Sequence, residues 1–76
     1  MDSLARHRLK WKCRRGLLEL DLVLQEFFER HLKQNDYRSL NALLDLEDNE
    51  LWDILSGRSD AYEDRFSGIV ARLRSV

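Results

Sequence analysis

Three observations predict an all-α fold for this chain: it has no proline and only three glycines in 76 residues, 36% of its residues are charged, and apolar residues recur at three- and four-residue intervals. A sheet of this length needs turn residues every few positions, and they are missing. Residues 1–76 suffice for one helical domain and not for two cores, so a single small five-helix bundle with local connections is expected. Apolar content of 43% supports a core, which makes the high charge a solvated surface and not a mark of disorder.

From the N-terminus, Asp2 and Ser3 are N-cap residues for a first helix reaching about Cys13, with Leu4, Arg8 and Trp11 on one side. Arg6, Arg8, Lys10 and Lys12 make most of its circumference cationic, so it is expected to pack by one edge. A second helix from about Gly16 to Leu32 carries Leu17, Leu20, Leu24, Phe27, Phe28 and His31 at helical spacing. Leu18, Leu22 and Val23 widen that surface, which predicts neighbours on more than one side.

Asn35 and Asp36 stop the second helix, and Leu40, Leu43 and Leu44 define a short third. Asp48 is the expected cap of a fourth helix containing Leu51, Trp52, Ile54 and Leu55, with Gly57 ending it in a left-handed conformation. Asp60 and Glu63 have the spacing of a capping box for a fifth helix, whose stripe is Tyr62, Phe66, Ile69, Val70 and Leu73.

The net charge of -1 conceals an asymmetry. Residues 1–15 hold six Lys/Arg against one acid, a balance of +5, and residues 16–76 hold seven against thirteen, a balance of −6. A basic end of this kind marks an acidic or nucleic-acid contact, or simply a solvated helix. A lone cysteine excludes an internal disulfide, and no apolar run approaches the roughly 18 residues of a membrane span, so no membrane insertion is expected. With no Arg/Ser-rich presequence before Ser3, the bacterial cytoplasm is the expected compartment.

Enzyme chemistry finds little support. His7, Cys13 and His31 lack paired metal-ligand spacing, there is no Gly-rich phosphate cradle, and the chain is expected to bind no cofactor itself. His31 reads as a partly buried histidine bonded to a carbonyl. Cys13 reads as a helix-packing residue whose neighbours Lys12, Arg14 and Arg15 lower its pKa, giving at most a reactive thiol without a base. Asp45, Glu47, Asp48, Glu50 and Asp53 are assigned to helix-start electrostatics and solubility.

Arg14, Arg15, Gly16 and Glu19 stand apart, at the join of the basic and apolar helices. Gly16 costs about 1 kcal/mol relative to alanine inside a helix, so it either breaks the chain or keeps a helical face bare. If the second helix begins at or before Gly16, that residue shares a face with Glu19, Val23 and Glu26, and Arg15 lies one turn before Glu19. One reading is an exposed i, i+4 ion pair worth about 0.3–0.5 kcal/mol. The other is a docking face, where a partner backbone approaches over Gly16 while Arg15 and Glu19 supply charge-assisted hydrogen bonds of roughly 1.5–3 kcal/mol each.

The string Arg8, Trp11, Cys13, Arg14, Arg15, Gly16, Glu19, Leu20, Asp21, written R-x-x-W-x-C-R-R-G-x-x-E-L-D, closely resembles the signature of the succinate dehydrogenase FAD assembly factors. The acidic stretch leading to L-W-D-I-L-S-G-R extends the resemblance over nearly the whole chain. The resemblance implies a non-enzymatic five-helix factor, monomeric when free, that binds the flavoprotein subunit of succinate dehydrogenase or fumarate reductase. There it promotes covalent FAD attachment by a client histidine. It further implies a partner-binding surface of Arg8, Trp11, Arg14, Arg15, Gly16 and Glu19. Asn49 and Ile54 depart from the family pattern, where proline and an aromatic are common, and both changes touch the fourth helix. The competing reading is a helical nucleic-acid binder using Arg6, Arg8, Lys10, Lys12 and Arg14 on phosphates; the acidic stretch Asp45 to Asp53 would be repelled by a duplex.

Overall fold

The structure, a computed structural model, describes residues 3–76. Five helices follow one another: α1 (Ser3–Lys12), α2 (Leu18–Arg30), α3 (Tyr37–Leu43), α4 (Asp48–Leu55) and α5 (Ser67–Arg74). Short 3₁₀ turns, Gln34–Asp36 and Asp64–Phe66, lead into α3 and α5, and no strand occurs among the described residues. None of the described helices is long and apolar enough to cross a membrane. The N-cap assigned to Asp2 lies outside the described residues.

The buried apolar side chains form one cluster to which every helix contributes. Leu20, Leu24, Phe27 and Phe28 of α2 meet Leu40, Leu43 and Leu44, then Leu51, Ile54 and Leu55, then Phe66, Ile69, Val70 and Leu73. These are the residues whose spacing predicted helices α2 to α5. Ile54 is buried and Asn49 exposed, so α4 accommodates both departures from the family pattern.

The inner face of α1 is not the expected one. Leu9 and Cys13 are buried and Ala5 half-buried, whereas Leu4 and Trp11 point outward. Ala5, Leu9 and Cys13 also recur at helical spacing, and their small or slender side chains let α1 settle close to the core. α2 is likewise covered on fewer sides than expected: Leu17, Leu18 and Leu22 are exposed, and Val23 packs only at the core's edge. His31 is exposed as well. Its ring lies 6.3 Å from that of Phe27, and it is its backbone oxygen that is bonded, accepting from Arg72.

Helix ends differ from their sequence signals in a consistent way. α2 starts at Leu18, two residues late, because Gly16 has φ +91° and Leu17 is extended. It ends at Arg30, before Asn35 and Asp36, with His31 as its C-cap. α4 is preceded by Glu47 with no side-chain cap, and Asp48 sits in the first turn, paired with Arg15. The Asp60–Glu63 capping box does not form: Asp60 pairs with Arg74, Glu63 with Arg65, and α5 begins only at Ser67. Gly57 does take the left-handed conformation, φ +88°, just past α4.

Arginines from distant elements donate to carbonyls at the C-terminal ends of these helices. Arg72 donates to His31 O after α2, Arg15 to Leu44 O (2.6 Å) after α3, and Arg74 to Ile54 O (2.9 Å) in the last turn of α4. Each guanidinium also meets an aspartate: Asp36, Asp48 and Asp60 respectively.

Candidate functional site

The segment joining α1 to α2 is held from within. α1 closes with tight turns, Cys13 N–H donating to Lys10 O and Arg14 N–H to Trp11 O, both at 3.1 Å. Cys13 is fully buried at this corner and anchors it. Burial pushes its thiol up to about 11; Arg15 and Lys12 pull the other way, and Asp21 reinforces the rise. The reactive thiol expected from the cationic neighbours is therefore corrected, because desolvation outweighs them.

Gly16 makes the turn. Its φ of +91° lies in the left-handed region that other residues rarely adopt, while a Cβ placed there would meet nothing within 4 Å. Backbone geometry, and not crowding, is what requires glycine here. Because α2 begins after it, Gly16 does not share a helical face with Glu19, Val23 and Glu26; that expectation is withdrawn.

Asp21, in the first turn of α2, reaches back to close the turn. Its Oδ1 accepts from Arg15 N–H at 2.7 Å and its Oδ2 from Gly16 N–H at 3.2 Å. A carboxylate here also suits the positive end of the α2 dipole. The sequence string contained Asp21, yet no spacing rule singles it out as the residue that holds the motif's glycine.

Arg15 turns inward. Its side chain is 15% exposed and each of its three nitrogens is bonded: Nε donates to Asp48 Oδ1 at 2.7 Å, Nη1 to Leu44 O at 2.6 Å and Nη2 to Leu46 O. The i, i+4 pair with Glu19 does not form; the carboxylate partner is 33 residues away. Lys12 acts similarly, donating to Asn41 O (2.9 Å), Asn41 Oδ1 (2.8 Å) and Asp45 (2.9 Å). Part of the N-terminal positive charge is thus neutralised against the acidic stretch inside the molecule.

The remaining predicted residues face outward. Glu19 is exposed in the first turn of α2 without an ion pair among the described residues, and so is Arg8 on α1. Trp11 is 72% exposed, with the Arg14 guanidinium 5.6 Å from its ring centre, a cation–π contact at the surface. Leu18, 75% exposed, and Leu22, 60% exposed, add apolar area one turn apart on α2; the sequence pattern had assigned them to the core. Chemically the exposed groups of α1, α2 and the turn between them are one carboxylate without an ion pair, two cations, an indole and leucine side chains. That composition suits a protein partner.

Comparison with known proteins gives a consistent result. A family model described as flavinator of succinate dehydrogenase matches residues 7–76. The chain is 37% identical to a FAD assembly factor from Coxiella burnetii over 78 aligned positions, covering 99% of this chain and 95% of that protein. It is 43% identical to one from Legionella pneumophila over 63 positions, 79% of this chain and 80% of that protein. It is 36% identical to one from Methylococcus capsulatus over 74 positions, 93% and 89% respectively. No solved structure matches it.

Proposed function

Because the chain belongs to the family of flavinators of succinate dehydrogenase, we propose that it binds the flavoprotein subunit of succinate dehydrogenase or fumarate reductase and promotes covalent FAD attachment to it. The family is one of assembly factors and not of enzymes. In this reading the factor works in the bacterial cytoplasm, is a monomer when free, and binds no FAD, metal or nucleic acid itself.

The observation that supports this reading is the division of labour at the α1–α2 corner. Arg15, Asp21 and the Gly16 N–H are engaged internally, whereas Glu19, Trp11 and Arg14 are exposed on either side of the turn they fix, with Arg8 exposed further along α1. Glu19 and Arg8 supply charge-assisted hydrogen bonds to the client, Trp11 with Arg14 supplies an amphipathic anchor, and Gly16 leaves room for a close backbone approach. Arg15 serves from behind, by holding the loop.

The bond to flavin is formed by a histidine of the client, so the factor's contribution is conformational. A factor that favours the competent client conformation by about 2.7 kcal/mol raises its population ratio roughly 100-fold. The test is acid-stable flavin fluorescence of the denatured client after incubating FAD-free flavoprotein, FAD and this chain, with Glu19→Ala alongside. Flavin attached only with the intact chain supports the role. No gain over client and FAD alone overturns it.

A further inference from the structure

A groove between α1 and α3 shares Arg8 with the surface described above and continues away from it toward Arg38. Half-buried Ala5 and the edge of the buried Leu9 form its apolar floor, Arg8, Tyr37, Arg38 and Asn41 complete it, and its volume is about 350 Å³. Its polar neighbours are already engaged: Arg6 donates to the Tyr37 hydroxyl at 3.0 Å, and Lys12 holds Asn41 and Asp45. Arg8 and Arg38 differ. Both are exposed, both line the groove, and neither forms an ion pair with a described carboxylate.

No carboxylate lines this groove. Two guanidiniums beside apolar surface are tolerated while water screens them, but any group covering the groove strips that water away. A neutral or basic occupant would leave them desolvated and unpaired, which is costly; a carboxylate would pair with them in fork geometry. We propose that the α1–α3 groove is a second docking site for the client flavoprotein. It takes an acidic segment whose Glu or Asp meets Arg8 and Arg38 while a neighbouring apolar side chain covers Ala5 and Leu9. The proposal rests on the assembly-factor reading and extends its footprint to α3, where Arg38 becomes a contact residue. A phosphate backbone is the poorer fit, because it needs a continuous cationic track, and Asp45 interrupts this one at the Lys12 end.

The test measures binding of the full chain to FAD-free flavoprotein by calorimetry, comparing Arg38→Ala, Arg38→Glu, Arg8→Ala and Glu19→Ala, with thermal melts as a folding control. Arg38→Ala is expected to raise Kd about tenfold and Arg38→Glu to raise it further, at unchanged melting temperature. Arg38→Glu binding as tightly as wild type, while Glu19→Ala is weakened, overturns the groove and leaves the assembly-factor reading standing. If the intact chain does not bind the client, that reading fails, and a second probe decides the groove by itself. This is a blocked Glu-Leu dipeptide titrated into isotope-labelled chain. Amide shifts confined to Ala5, Leu9, Arg38 and Asn41, and absent in Arg38→Glu, support an acidic–apolar site. No shifts, or the same shifts produced instead by duplex DNA at physiological salt, overturn it.

Discussion

The two ends of α2 are fastened by the same chemistry to different ends. At its C-terminus, Arg72 donates to both oxygens of Asp36 at 2.7 Å and to His31 O, and its guanidinium lies 5.1 Å from the centre of the Phe27 ring. At its N-terminus, Arg15 grips Asp48 and two carbonyls and hands its own N–H to Asp21. Around Arg72, Asp36 is matched and Arg30 pairs with Glu26, but the neighbouring Lys33 has no ion-pair partner among the described residues. Around Arg15 the clamp carries an outward surface whose Glu19 and Arg8 have no ion-pair partner within the described chain. An arginine clamp is therefore neutral as to function. What distinguishes the Arg15 end is the exposed apolar area of Trp11, Leu18 and Leu22 near the clamp.

The sharpest break in that comparison is Arg72→Ala, which strands Asp36, only 8% exposed, and is expected to cost about 2–3 kcal/mol in denaturant unfolding. Client binding by the folded fraction should be unchanged. Arg15→Ala strands the better-solvated Asp48 and two carbonyls and should cost about 2 kcal/mol, but here the folded protein should also bind client more weakly. Equal binding losses in the two variants would erase the distinction.

Alkaline pH probes the Arg15 corner through Cys13. Its folded pKa, about 11, exceeds the ordinary 9.0, so its contribution is intact below pH 9 and is lost as pH rises toward 11. By pH 10 that amounts to about 1.4 kcal/mol, seen as a steeper stability–pH slope than in Cys13→Ala. Gly16→Ala should cost about 1 kcal/mol through its positive φ alone, since the site has room for the methyl group. Smallest of all on stability is Glu19→Ala, expected within about 0.5 kcal/mol of wild type, with a loss in client binding far out of proportion.

Much of this was legible in the chain. The spacing of Leu20, Leu24, Phe27 and Phe28, and of Ile69, Val70 and Leu73, named core faces that the structure keeps. α1 misled because two stripes compete on ten residues: size favours Leu4, Arg8 and Trp11, while close packing selects Ala5, Leu9 and Cys13. The same weighting put Leu18 and Leu22 inside, although an exposed leucine pair beside a motif is itself a sign of docking. The motif string pointed to the α1–α2 corner. It did not reveal that Arg15 points inward, because a partner 33 residues away leaves no periodic trace.

The arginine caps also bear on how long the native state lasts. Arg15, Arg72 and Arg74 reach carbonyls 15 to 41 residues away in sequence, so none of these bonds can form while the helices are still assembling locally. Contacts of such span are expected to be absent from the folding transition state and to act on the escape rate from the folded basin. Their removal should shorten the lifetime of the native chain and leave its refolding rate almost untouched. Under the proposed function, that persistence keeps the corner beside Arg15 assembled from one client encounter to the next.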